Sequence, residues 1–113
     1  MSCLFCKIIA GEIPCGKVYE DDTVLAFSDI SPAAPVHVLI VPKEHIQSAN
    51  ELEPRHDALL AHIFSVVRRI AEERGFFGNG YRIVNNCGLD GGQSVPHLHF
   101  HLLAGRELGW PPG

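Results

Sequence analysis

Apolar and polar positions along this 113-residue chain follow two different periods, and the switches between them mark its elements. Leu4–Ala10 predicts a short helix stopped by Gly11, a residue suited to a helix C-terminus. Lys17–Glu20 and Thr23–Ser28 predict two strands joined at Asp21-Asp22, a hairpin signal. Ser31, Pro32 and Pro35 mark a loop, and the apolar, β-branched run Val36–Val41 predicts a third strand closed by Pro42. The period then becomes helical: Leu59, Leu60, Ile63, Val66, Val67 and Ile70 recur at the spacing of one buried face. Pro54 suits a first turn, with Glu51, Glu53 and Asp57 near the positive end of the helix dipole. Arg68, Arg69 and Arg74 fall toward the other end, and Gly75 stops the helix. His56 and His62 have no evident partner there and read as solvated surface. Tyr81–Asn85 predicts a fourth strand, Asn86–Val95 a glycine-rich loop, and His97–Leu103 a fifth strand. Short links between successive strands favour an α+β domain: a five-stranded antiparallel sheet, a short N-terminal helix, and one long helix on a sheet face.

Charge narrows the function. Nine Lys and Arg against thirteen Asp and Glu leave a formal charge of −4. A protein that grips nucleic acid through its phosphates carries a basic excess, so no nucleic-acid partner is expected, while a local site for one nucleotide stays open. The longest apolar runs fall far short of the roughly 20 residues of a membrane span, so no membrane partner is expected. The first residues lack the basic stretch and long apolar run of an export signal, which points to the cytoplasm. A chain of this size buries about two-thirds of its unfolded surface and makes a core without disulfide staples.

Four cysteines then need an assignment. Cys3 and Cys6 form C-x-x-C, whereas Cys15 and Cys87 stand alone. No strand precedes the pair, which argues against a thioredoxin-like redox centre. Two thiolates at this spacing can supply half of a tetrahedral zinc site. Four reduced thiols with no special role is the other reading, and the spacing leaves both open.

The chemistry concentrates in His97-Leu98-His99-Phe100-His101-Leu102-Leu103. Side chains of a strand alternate between faces, so His97, His99 and His101 share one face, while Leu98, Phe100 and Leu102 share the other. Three imidazoles in strict alternation suit one of two chemistries. Two of them can hold a catalytic metal with a third ligand from elsewhere. Alternatively, one attacks as a nucleophile while its neighbours orient it and supply protons. The preceding Asp90-Gly91-Gly92-Gln93-Ser94 bears on the choice. Its glycines let backbone amides approach an anion, and Gln93 and Ser94 can bond phosphate oxygens or a leaving group.

These residues resemble the histidine triad (HIT) family, and within it the Hint branch of nucleotide-binding proteins. The family motif H-φ-H-φ-H-φ-φ, with φ apolar, fits His97–Leu103 at every position. The similarity extends over Phe5 to Ile8, Gly11-Glu12-Ile13-Pro14, Phe27-Ser28-Asp29-Ile30-Ser31-Pro32, Ala34-Pro35-Val36-His37 and Gly91-Gly92-Gln93-Ser94. It ends at Trp110-Pro111-Pro112-Gly113.

The resemblance implies hydrolysis of nucleoside 5′-phosphoramidates, typically AMP bonded to an amine, or of acyl-adenylates. It makes His99 the nucleophile, oriented by the backbone carbonyl of His97. Ser94 and His101 become the candidates for protonating the leaving amine, and His37 a support of the cluster. Asn86, Gly92, Gln93 and Ser94 are implied around the phosphate, with His99 and His101. Asp29 would accept the ribose hydroxyls, and Phe5, Phe27 and Ile30, with Leu4, Ile8, Ile13 and Leu39, would wall the purine. No cofactor is implied for catalysis. Some prokaryotic members carry the same C-x-x-C and bind structural zinc, which implies Cys3, Cys6, His45 and His97 as ligands here. Hint-like proteins are homodimers, which gives the tail Arg106–Gly113, with the single Trp110, a partner surface to pack on. A nucleotide-binding regulatory or scaffolding protein with incidental turnover is the alternative to the enzyme.

Overall fold

In the computed structural model, which describes residues 3–113, strand β2 (Val24–Ser28) is buried on both of its faces. Val24 and Ala26 point to one side, Leu25 and Phe27 to the other, and each side enters a different apolar cluster. The same holds for β3 (Val36–Pro42), where Val38 and Ile40 oppose Leu39 and Val41. Two covered faces explain why these strands read as continuous apolar runs rather than alternating ones. With β1 (Lys17–Glu20), β4 (Arg82–Val84) and β5 (Phe100–Ala104) they form one antiparallel sheet in the order β1-β2-β3-β5-β4. The last strand thus inserts between the third and the fourth.

Helix α2 (Asp57–Arg74) covers one face with Ile63, Val66, Val67, Ile70 and Ala71, packed against Leu98, Phe100 and Leu102. Gly75 ends it at φ 83°, a left-handed conformation that glycine adopts without steric cost. Pro54 opens a 3-10 turn, Pro54–His56, that feeds the helix. The short helix α1 (Leu4–Ile9) lies on the other face, where Phe5 joins Leu25, Phe27, Leu39 and Val41. No helix of the described residues is long and apolar enough to cross a membrane.

Three local expectations are corrected. The fifth strand starts at Phe100 rather than His97. Before that point the chain leaves the ladder, because the Leu98 amide donates to the Ile46 carbonyl at 2.6 Å and the His97 ring bonds the Pro42 carbonyl at 2.9 Å. His56 is buried, not solvated: its Nδ1 accepts the Glu53 amide at 3.0 Å, and its Nε2 lies 3.3 Å from Glu44. His62 is partnered as well, with Nε2 2.6 Å from Oδ2 of Asp21. Both acidic partners sit on remote segments that helical periodicity does not reveal.

Asp21 organises the β1–β2 turn. Its carboxylate accepts the amides of Thr23 (2.8 Å) and Val24 (3.0 Å) and the hydroxyl of Tyr19 (2.8 Å). Burial opposes the charged form, but these bonds and His62 outweigh it and hold the carboxyl well below the usual carboxylate range. Asp21→Ala is expected to cost about 2 kcal/mol in urea unfolding at neutral pH, the scale of hydrogen bonds to a charged group. A depressed folded-state pKa contributes stability that is complete above the unfolded value near 3.9 and is lost as pH falls toward the folded one. The deficit of the variant therefore shrinks as the medium is acidified below about pH 4. A deficit constant from pH 7 to pH 2.5 would assign the loss to packing instead.

Candidate active site

The imidazole face of β5 and of the segment before it is shaped by which nitrogen carries each proton. A carbonyl oxygen only accepts, so a ring nitrogen facing one must donate. His97 donates from Nε2 to the Pro42 carbonyl, which leaves Nδ1 as its lone-pair nitrogen. His99 donates from Nδ1 to the His97 carbonyl at 2.7 Å, which leaves Nε2 free. Asn85 fixes the same segment by donating from Nδ2 to the His99 carbonyl at 2.9 Å. Both rings are almost fully buried. The His99 ring is held edge-on by Phe5, with centroids 5.0 Å apart, and lies 5.1 Å from the His101 ring.

Register places the next histidine. Leu39 pairs with His101 and His37 with Leu103, so His37 and His101 are diagonal neighbours on one face. His37 Nε2 lies 2.9 Å from His101 Nδ1 and 3.4 Å from Oδ2 of Asp29. Burial, then the neighbouring His99 and His37, lower the pKa of His101 despite the opposing pull of Asp29. Burial likewise lowers that of His97.

A cavity of about 270 Å³ opens on this face. His99, His101 and Ser94 line it with Asp29, Ile30, Phe27, Phe5, Leu4, Ile8, Ile13 and Leu39. Most of the residues expected around a nucleoside therefore meet in one place. Pro14, Cys15, Ser28 and Val95 also line it and were not foreseen. The first two directly follow Ile13, so that run needed only to be extended. His37 stands behind the cavity wall, in contact with His101.

Asn86, Gly92 and Gln93 do not line the cavity. For Gln93 the reason is visible. Its amide nitrogen donates to the carbonyls of Gln47 (2.8 Å) and Val95 (3.0 Å), and its oxygen accepts the Gly88 amide at 3.0 Å. The side chain ties the glycine-rich loop to its surroundings and has no donor left for a phosphate.

A second cluster backs the first. The ligating atoms of Cys3, Cys6, His45 and His97 all lie within 4.8 Å of one another. His97 Nδ1 is 3.3 Å from the Cys3 sulfur, 3.6 Å from that of Cys6 and 3.1 Å from Nδ1 of His45. The Cys6 sulfur is 3.3 Å from His45. Ligand bonds of about 2.0–2.3 Å set the edges of a tetrahedral zinc site at roughly 3.3–3.8 Å, close to the 3.1–3.6 Å that separates these donor pairs. Burial and the neighbouring Cys3 push the Cys6 thiol up, so a thiolate pair here calls for a cation. The Pro42 carbonyl supplies the outer hydrogen bond that turns Nδ1 of His97 toward the cluster.

Comparison with known proteins places the chain. The HIT domain family matches residues 10–108. An uncharacterized HIT-like protein of Synechococcus elongatus is 53% identical over 110 residues, which cover 97% of this chain and 96% of the relative. The purine nucleoside phosphoramidase of Escherichia coli K12 is 47% identical over 106 residues, 94% of this chain and 89% of that protein. The crystal structure of a HIT family hydrolase from Legionella pneumophila superposes with a TM-score of 0.97 at 49% identity, covering 99% of this chain and 100% of the other. On these matches, in sequence over residues 10–108 and in fold, the chain belongs to the histidine triad (HIT) family of hydrolases.

Proposed function

We propose that this chain is a purine nucleoside phosphoramidase, cleaving the P–N bond of AMP-amine conjugates or the corresponding bond of acyl-adenylates. The observation that carries the reading is the 2.7 Å bond from Nδ1 of His99 to the His97 carbonyl, which leaves an in-cavity imidazole nitrogen with a lone pair. The activity in the name of the Escherichia coli relative supports the substrate class.

The Nε2 lone pair of His99 attacks the α-phosphorus, and the P–N bond breaks. The departing amine takes a proton from His101 or Ser94, and a nucleotidyl-His99 remains. Water then attacks the same phosphorus, gives up a proton to His101, and AMP leaves with His99 restored. Burial and the neighbouring His99 and His37 favour the uncharged form of His101, which serves the leaving group as a neutral imidazole donor. Asp29 takes the ribose hydroxyls, while Phe5, Phe27 and Ile30 hold the purine. The reaction needs no cofactor. Incubation with an adenosine 5′-phosphoramidate tests the reading: AMP and free amine are expected in equal amounts, and an intact substrate would refute it.

Zinc would be held by Cys3, Cys6, His45 and His97, where four protein ligands leave no open position for substrate. Its contribution there is structural, tying α1 to the segment that carries the nucleophile. The dimer proposal rests on the edge strand β4 and on the tail. Arg82 of β4 donates to the carbonyls of Leu108 (3.4 Å) and Gly109 (2.8 Å), and Trp110 beyond them is 83% exposed. A second copy against β4 would cover that indole. A cytoplasmic location accords with the reduced cysteines this site needs.

The ribose contact has a specific test. Asp29→Ala is expected to weaken binding of AMP about ten- to a hundredfold, the equivalent of a lost hydrogen bond to a charged group. Binding of 2′-deoxy-AMP should weaken less, since it has one hydroxyl fewer to lose. Equal losses in calorimetric titrations of both nucleotides would move the ribose contact elsewhere.

A further inference from the structure

The loop between β2 and β3 holds a hydrogen bond that the chemistry above leaves unused. The Ala33 amide donates to Nδ1 of His37 at 3.0 Å. An amide N–H only donates, so Nδ1 of a neutral His37 carries no proton and Nε2 does. That Nε2 lies 2.9 Å from Nδ1 of His101. A protonated nitrogen facing a ring nitrogen at this distance makes the latter an acceptor, so a neutral His101 keeps its single proton on Nε2. Its Nδ1 is occupied by His37, so Nε2 is the nitrogen left to serve a leaving group.

The loop is anchored from outside. Arg106 donates from Nη2 to the Ala33 carbonyl at 3.0 Å. Gly105 passes so close that a Cβ built on it would stand 2.8 Å from Cβ of Pro35, and its φ of 97° is one that side chains disfavour. Two residues just after β5, the strand of His101, thus hold the loop whose amide faces His37.

We infer that the Ala33 backbone N–H selects which nitrogen of His101 carries the proton, by relay through His37, and that Arg106 holds this amide in place. Ala33, His37 and Arg106 are then positioning residues for the acid. The consequence is selective. An amine leaves phosphorus only after gaining a proton, whereas the carboxylate leaving an acyl-adenylate needs none. A misplaced proton on His101 therefore slows the first substrate class and spares the second. An imidazole held in the wrong tautomer can lose up to about 10⁴ in turnover. Water can substitute in part here, so the expected loss is about tenfold.

This inference rests on the proposed role of His101, and its test separates the two. In the unliganded protein, ¹⁵N spectra of the imidazoles at a pH where both rings are neutral should show His37 and His101 protonated at Nε2. Replacing Ala33 by lactic acid turns its amide into an ester and puts an oxygen, which cannot donate, in place of the N–H. Arg106→Met removes the donor from the other side, and Arg106→Lys restores one. The ester and Arg106→Met proteins should show a second His101 tautomer. They should lose about tenfold in kcat with an AMP-amine and less than twofold with an acyl-adenylate, with Arg106→Lys in between. An Nδ1-protonated His101 in the unaltered protein overturns the relay, as do equal losses on both substrates. Absence of phosphoramidate turnover in the unaltered protein would sink the functional reading, while the imidazole spectra would still decide the relay.

Discussion

His99→Ala is expected to abolish the nucleotidyl adduct and to lower phosphoramidate turnover by about 10⁴–10⁶, the scale of removing a nucleophile from a preformed site. The reason is the lock on its ring. With Nδ1 committed to the His97 carbonyl, His99 presents one lone-pair nitrogen, and the other rings nearby are differently engaged. His97 turns its free nitrogen to the cysteines, and His101 turns one of its own to His37. No other imidazole therefore takes over the attack. AMP binding should change only a few-fold, because the cavity walls and Asp29 are untouched. Intact-protein mass after a brief reaction reads the result: a nucleotidyl increment is expected on the unaltered chain alone. An adduct that persists in His99→Ala would move the nucleophile to another residue.

Protein purified without added metal is expected to contain about one zinc per chain, and stripping it should lower the melting temperature by roughly 15 °C. A ligand present at a thousand times its Kd stabilises by about 4.1 kcal/mol, and a domain of this size shifts by about 4 °C per kcal/mol. Cys3→Ser should reproduce most of that loss while changing the rate of the chemical step at 25 °C by less than about tenfold, since four ligands close the site against substrate. A metal-free protein whose melting temperature ignores added zinc would show that the four residues are ordinary packing.

Much of this site is legible in the sequence because its information is local. Alternation over His97–Leu103 separates imidazoles from Leu98, Phe100 and Leu102 without knowledge of the partner strands, and the structure keeps that separation. The long helix and its terminating glycine are legible for the same reason. What escaped depends on distant backbone. The fifth strand begins late because Pro42 and Ile46, over fifty residues earlier, claim the hydrogen bonds of His97 and Leu98. Gln93 in a glycine-rich loop suggests an anion contact, yet Gln47 and Val95 take up its donors. His56 and His62 looked solvated because Glu44 and Asp21 reach them from other elements. The meeting of His37 with His101 follows from the β3–β5 register, which no local pattern fixes.

His97 joins the two clusters through different parts of one residue. Its ring belongs with Cys3, Cys6 and His45, and its backbone carbonyl holds His99. The side chains of Cys3, Cys6 and His45 should therefore covary among descendants of this chain. Loss of either cysteine leaves His45 and the remaining thiol without a purpose, and all three positions become free to drift together. His97 alone cannot drift with them, because its ring still has to fill a fully buried volume beside His99. If zinc binds there, a lineage that sheds it would keep the histidine and recruit bulkier apolar residues at positions 3 and 6 to steady it, and the triad would outlast the ion.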